Sequence, residues 1–312
     1  MKVSSKFLAY VKLIAAIMIW GANYHVAKYL VKFADIYTIS FVRFLIASIV
    51  LVMIYYCKHR HIMLHLSKKQ WSILFCSGFF GIFCYMTLFF FAETLIPANN
   101  IAILFAFAPC ITVLLSRLFL KLHISLLAYL GIIIALLATI AVISLSDPLC
   151  HGKIICVNIG LSIGEVAALG TAVSFAIYSI FNKKAASLGI DSLTITLIST
   201  LIGCILLFIN YLAFGDPLSM LLHKTWLFWL AMGFISILST SLSYVWFTDA
   251  LNKIGVSQTA IFLNGTPLAA VLTGAIFFGQ IINMEIAVAG AFIVLGVVLT
   301  NYSVNKKNKY KR

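Results

Sequence analysis

The chain has 312 residues, 63% of them hydrophobic and only 10% charged, with a formal net charge of +14. A soluble domain carries about 25% charged residues, so this chain cannot cover itself with a polar surface and its solvent is lipid. Apolar runs long enough to cross a bilayer recur throughout, and their unbroken character excludes the alternating pattern of a β-barrel.

In chain order the apolar runs predict ten transmembrane helices, over 7–30, 36–56, 71–92, 97–118, 124–145, 161–182, 192–214, 226–248, 256–278 and 284–303. The expected fold class is therefore an all-α membrane protein. The connections are too short for a soluble domain. The first run is too long, and too continuous with the next, for a cleaved signal peptide.

The placement of the charges argues against nucleic acid as a partner. With the N-terminus in the cytoplasm, seventeen of the 22 Lys and Arg residues fall on the inner side. Lys28, Lys32, Lys153 and Lys224 fall outside, and Arg43 alone lies within a span. This is a strong positive-inside bias. It places both termini in the cytoplasm of a bacterial inner membrane, with 304–312 as a basic cytoplasmic tail that meets anionic membrane lipid.

Span 1 ends in "IWGANYHVAK" (19–28), which keeps polar groups where an apolar run should finish. Asn23 and His25 are two residues apart, so they point about 200° from one another on a helix. Asn23, just after Trp20–Gly21, is the better cavity residue; His25 either titrates near neutral pH or hydrogen-bonds a neighbouring helix. Arg43, in "FVRF" of span 2, reads as a structural arginine bridging helices at the outer boundary. Its alternative is an electrostatic clamp on a substrate carboxylate. Glu93, near the outer end of span 3, and Asp249, near the inner end of span 8, are candidates for proton coupling at two gates; the alternative is an acid facing headgroups. Further candidates for substrate contact are Tyr85, Asn99, Asn100, Tyr178, Tyr244, Trp246, Gln258 and Asn264. Cys150 and Cys156 share the outer loop "DPLCHGKIIC" and are a disulfide candidate in an oxidising periplasm.

The chain also repeats itself. Laying "ETLIPANNIAILFAFAPCITVLLS" (93–116) over "LNKIGVSQTAIFLNGTPLAAVLTG" (251–274) matches Pro109 with Pro267, Asn100 with Gln258 and Ala102 with Ala260. Gly78 falls near Gly233, Lys28 meets Lys183, Asp35 meets Asp191 and Gly131 meets Gly290. Each half, 7–145 and 161–303, holds five spans, so the second lies inverted relative to the first. Inverted repeats are the architecture of alternating-access carriers, whose substrate site sits near the midplane between the halves. Pro109 and Pro267 each free a backbone carbonyl and permit a kink or gate at matched positions.

Together, "WGANYHVAK", "FVRFLIA", "AILFAFAPCITVLLS" and "DALNKIGVSQTAIFLNGTPLAAVLTGAIFFGQ" resemble the EamA-type family of the drug/metabolite transporter superfamily, over about residues 10–302. The resemblance implies ten helices formed from two inverted five-helix EamA-like repeats. It also implies a central cavity lined mainly by spans 1, 3, 4, 6, 8 and 9, and export of amino acids, other metabolites or drugs. Members of the family often carry a Glu where this chain has Gln280.

Other motifs carry no chemistry. "GLSIG" (160–164) matches a nucleophile elbow around Ser162 but opens a transmembrane helix instead of a strand-to-helix turn. In "CKHRHIMLHL" only His61 and His65 have helical metal spacing, so a basic connector is expected there and no metal. No P-loop or dinucleotide fingerprint is encoded, so no cofactor and no enzyme activity are expected. The expected function is a secondary carrier that exports a small polar or amphipathic metabolite, such as an amino acid, by alternating access, with possible proton coupling. An importer on the same fold and a lipid-handling flippase are the alternatives.

Overall fold

The computed structural model describes residues 5–59, 66–96, 101, 104–121, 125–146, 162–279 and 284–309. Among these residues there are helices and turns and no strand. Span 1 is Ser5–Leu30, span 2 Ile36–His59, span 5 Leu126–Ser146, span 6 Ile163–Ser187 and span 7 Ser192–Phe214. Span 3 joins Lys68–Gly78, a π-helical stretch Phe79–Cys84 and Tyr85–Glu93. Span 8 repeats that plan with Trp226–Gly233, a π stretch Phe234–Leu242 and Ser243–Ile254. Span 4 holds the helix Ala108–Leu120 after a turn at Ala106–Phe107. Span 9 joins Val256–Ala260, a 3-10 turn Ile261–Asn264 and Gly265–Phe278. Span 10 runs over Met284–Lys309, so the basic segment expected as a separate tail continues the helix. Among the described residues, eight helices are long and apolar enough to cross a membrane, and Ala108–Leu120 and Met284–Thr300 are shorter apolar helices.

Short polar residues between the apolar runs start the helices. Asp35 accepts the backbone N–H groups of Tyr37 and Thr38, and Asp191 accepts those of Leu193 and Thr194. Ser67 and Gln70 form a capping box, and Thr225 accepts from the N–H of Phe228. Each cap satisfies a donor that the first helical turn leaves unpaired. Leu118, Phe119, Leu212, Ile276 and Phe277 stand exposed on the outside, as expected where the surrounding medium is lipid.

The packing has the symmetry of the repeat. Span 2 packs on span 7, and span 5 on span 10. Span 1 packs on spans 8 and 9, and its counterpart, span 6, packs on spans 3 and 4. Spans 5 and 10 approach most closely through glycine. A Cβ on Gly296 would lie 2.5 Å from the Gly131 carbonyl, and one on Gly131 would lie 2.7 Å from the Gly296 carbonyl. Small residues let backbones meet in lipid, where dispersion replaces the hydrophobic drive. The second π stretch begins immediately after Gly233 and the first after Gly78, the two glycines that the sequence alignment sets side by side.

Candidate substrate chamber and its neighbours

The spans surround a core of rings. Trp20 of span 1 lies 5.6 Å from Tyr244 and 5.5 Å from Phe247 of span 8. Phe175 of span 6 contacts Trp20, Tyr85, Phe105 and Phe247, with centroids 5.4–6.4 Å apart. Tyr178 stands 6.0 Å from Tyr244. Its ring lies against Gly81, where a Cβ would come within 2.0 Å of Tyr178 Cδ2. The π stretch of span 3 thus brings a residue without a side chain to the ring, and any larger residue would displace Tyr178. Spans 1, 3, 4, 6 and 8 all contribute to this ring cluster. Phe175, Tyr178, Tyr244 and Phe247 are buried against one another, so in this conformation the cluster is packed.

One wall is polar, and it comes from the second π stretch. Trp20 Nε1 donates to the Ser239 carbonyl at 2.8 Å. Arg43 Nε donates to Thr240 Oγ1 at 2.7 Å, and a terminal guanidinium nitrogen reaches Ser239 Oγ at 3.4 Å. Thr240 in turn donates to the carbonyl of Ile235, five residues back. Widened helical turns of this kind re-aim side chains and are frequent at functional sites. Arg43 is partly buried beside Tyr85 and Tyr244, seven residues into its helix and so about 10 Å below the helix end. Among the described residues it forms no ion pair.

The sequence candidates fall in separate places. Tyr85, Tyr178 and Tyr244 belong to the ring cluster. Asn23 lies one turn beyond Trp20 on the same helix face, and its buried Oδ1 has no hydrogen-bond partner. His25 faces another way, with Nε2 2.9 Å from the Ala270 carbonyl of span 9. Gln258 and Asn264 are buried in span 9; Gln258 Nε2 and both amide atoms of Asn264 lack partners. Pro109 sits in the first turn of its helix after the break at Ala106–Phe107, and Pro267 follows the 3-10 turn of span 9. Asn99, Asn100, Cys150 and Cys156 lie outside the described residues, and Glu93 is described only as the end of its helix.

Trp246 and Asp249 line a different feature, an open vestibule of about 560 Å³ shared with Lys12, Lys58, Asp191 and Asn252. Asp249 pairs with Lys253 at 2.9 Å and with Lys12 at 3.8 Å, joining span 8 to span 1. Lys58 pairs with Asp191 at 3.8 Å. Asp191 stands outside the spans. Burial there raises its carboxyl, but hydrogen bonds from the side chain and backbone of Thr194, the charge of Lys58 and the N–H of Leu193 outweigh that effect. They hold it below the ordinary carboxylate value.

Sequence reasoning missed two groups. Ser239 and Thr240 belong to the hydroxyl-dense run "SILSTSLS" (236–243), an available signal in an otherwise apolar span. The second group is a fully buried chain in which Ser199 donates to Ser77, and Ser77 to Asn182 Oδ1 at 2.6 Å. Asn182 Nδ2 and Thr196 Oγ1 both reach Thr248 Oγ1. This polar seam binds spans 3, 6, 7 and 8, and one turn separates Asn182 from Tyr178.

The profile of the EamA-like transporter family matches residues 7–144 and 162–302. An uncharacterized transporter of Bacillus subtilis (strain 168), YyaM, is 25% identical over 302 residues, covering 96% of this chain and 95% of that protein. An uncharacterized transporter of Archaeoglobus fulgidus is 24% identical over 294 residues, covering 93% and 97%. A crystal structure of a protein that is 18% identical superposes with a TM-score of 0.77 over 95% of this chain and 98% of that one.

Proposed function

The chain belongs to the EamA-like transporter family, and on that premise we propose that it is an inner-membrane secondary carrier exporting a small amphipathic metabolite that bears a carboxylate, such as an amino acid. The observation that carries the substrate class is Arg43. A guanidinium at membrane depth costs about 3 kcal/mol when it faces the bilayer centre. Here two hydroxyls orient it, yet they leave its charge uncompensated among the described residues. Neutral hydroxyls hold a guanidinium in place without cancelling its field, so an incoming carboxylate supplies the missing charge through charge-assisted bonds. The aromatic cluster beside it, on opening as the halves rock, receives the apolar part of the same solute. The inverted repeat supports alternating access, the two halves rocking about this cluster.

Counterflow in proteoliposomes tests the reading. A panel pairing each carboxylate with its uncharged amide should show exchange for the acids only. Arg43→Gln should reduce that exchange by about 100-fold, on the order of the loss of one charged hydrogen-bonding partner. Equal transport of acid and amide by the unaltered protein would reject the carboxylate. Equal exchange from inside-out and right-side-out vesicles would leave the export direction unsupported.

A further inference from the structure

We propose that the junction of the two broken helices, spans 4 and 9, is a binding site for one dehydrated monovalent cation of Na⁺ size, held by neutral oxygens of both repeats. A small cavity lies there between Phe105 and Ala106 on one side and Leu263, Asn264 and Thr266 on the other, with Thr139 of span 5 beside them. It has room for about one water-sized particle, too little for an organic solute.

Its lining follows from the two prolines. Proline has no N–H, so the carbonyl four residues before it loses its ordinary helical donor. For Pro109 that carbonyl belongs to Phe105, and for Pro267 it belongs to Leu263. Both residues line the one cavity, so each repeat brings to a single place the residue whose carbonyl its proline cannot serve. The Leu263 carbonyl is reached instead by the Gly265 N–H, and a carbonyl oxygen has two lone pairs. Asn264 is only 1% exposed, and neither its amide oxygen nor its nitrogen has a partner. Buried amides are normally satisfied, and one left open points to a ligand or an ordered water. Thr139 lines the cavity, and its Oγ1 lies 2.7 Å from the Ala135 carbonyl and 3.2 Å from that of Asn264, to which the hydroxyl donates; a hydroxyl oxygen that donates still has lone pairs with which to accept.

Oxygen-rich, amide-bearing and small, the site suits a hard cation. No carboxylate lines it, which favours a single positive charge over two. Unwound backbone at the midplane of inverted-repeat carriers is where coupling ions find carbonyl ligands. The inference goes beyond the carboxylate reading and stands without it, since none of these groups touches Arg43.

Equilibrium binding of ²²Na⁺ to purified full-length protein in nanodiscs should give one saturable site per chain, displaced by unlabelled Na⁺ and not by choline. The same titration should raise the melting temperature in NaCl relative to choline chloride at equal ionic strength. Thr139→Val, nearly isosteric, and Asn264→Leu should each weaken Na⁺ binding by about tenfold or more, while Arg43→Gln should leave it unchanged. If Asn264→Leu fails to fold, Thr139→Val and the unaltered protein still decide. No saturable ²²Na⁺ binding and no sodium-dependent melting would mean that a water alone occupies the junction, and would overturn the proposal. So would binding that Thr139→Val and a folded Asn264→Leu leave intact.

Discussion

Asp191 and Arg43 are both ionised groups next to apolar surroundings, and they are satisfied differently. Asp191 has partners enough in its own helix cap and in Lys58. Asp191→Ala should therefore destabilise the protein by about 1 kcal/mol, the ordinary cost of losing a cap, read as a lowered melting temperature in detergent. The pH dependence has a definite sign. The folded carboxyl titrates below its unfolded value of about 3.9, so its contribution is complete above that pH and falls away as acid carries the pH through the depressed folded value. The Asp191→Ala variant should lose that part of the acid sensitivity. A melting temperature unchanged between the two proteins at pH 7 would remove the cap from the account. Arg43 has hydroxyls and no carboxylate among the described residues, and that difference from Asp191 is what the proposed carboxylate reading rests on.

Interruptions of regular helix, more than the helices themselves, shape the interior. The π stretch in span 8 turns Ser239 and Thr240 toward Arg43 and Trp20, and the one in span 3 sets Gly81 under Tyr178. The 3-10 turn before Pro267 leaves Asn264 without amide partners, although its carbonyl is met by Thr139. Replacing Pro267 by Ala returns an N–H to the Leu263 carbonyl and favours a continuous helix. Pro267→Ala should therefore melt at the same or a higher temperature, yet exchange solute several-fold more slowly in the counterflow assay. A variant with full exchange would show that the break in span 9 is not used in transport.

Across the whole molecule, the pairing of spans 1 with 8 and 9, and of 6 with 3 and 4, is one arrangement used twice in opposite directions. The charge asymmetry fixes how that arrangement should sit in the membrane. Single cysteines at positions 2 and 309 should be labelled only from the cytoplasmic side by an impermeant thiol reagent, and one at position 153 only from outside. Termini labelled from opposite faces would be incompatible with two five-span halves.

Much of this was legible in the residues alone because it depends on local composition. Lipid as solvent, all-helical spans and the twofold layout follow from apolar run lengths and from matched marks such as Pro109 with Pro267 and Gly78 with Gly233. Those marks are tied to backbone geometry, which a sequence states directly. The make-up of the ring cluster was only half legible. Tyr85, Tyr178 and Tyr244 stood out as aromatics in spans, but nothing local says which rings meet, and Phe175 and Phe247 look like any other core residues until five helices surround them. The π stretches were hidden for the same reason. Apolar periodicity does not register one extra residue per turn, so the turn of Ser239 and Thr240 toward Arg43 is set by packing. Trp246 and Asp249 likewise share a helix with Tyr244 yet line the vestibule, because two residues turn a side chain about 200° around the helix and five carry it about 7.5 Å along the axis. A sequence fixes which groups a helix carries; only the packing of neighbouring helices decides which of them share a cavity, since the hydrogen bond from span 1 to span 9 at His25 joins residues 245 positions apart.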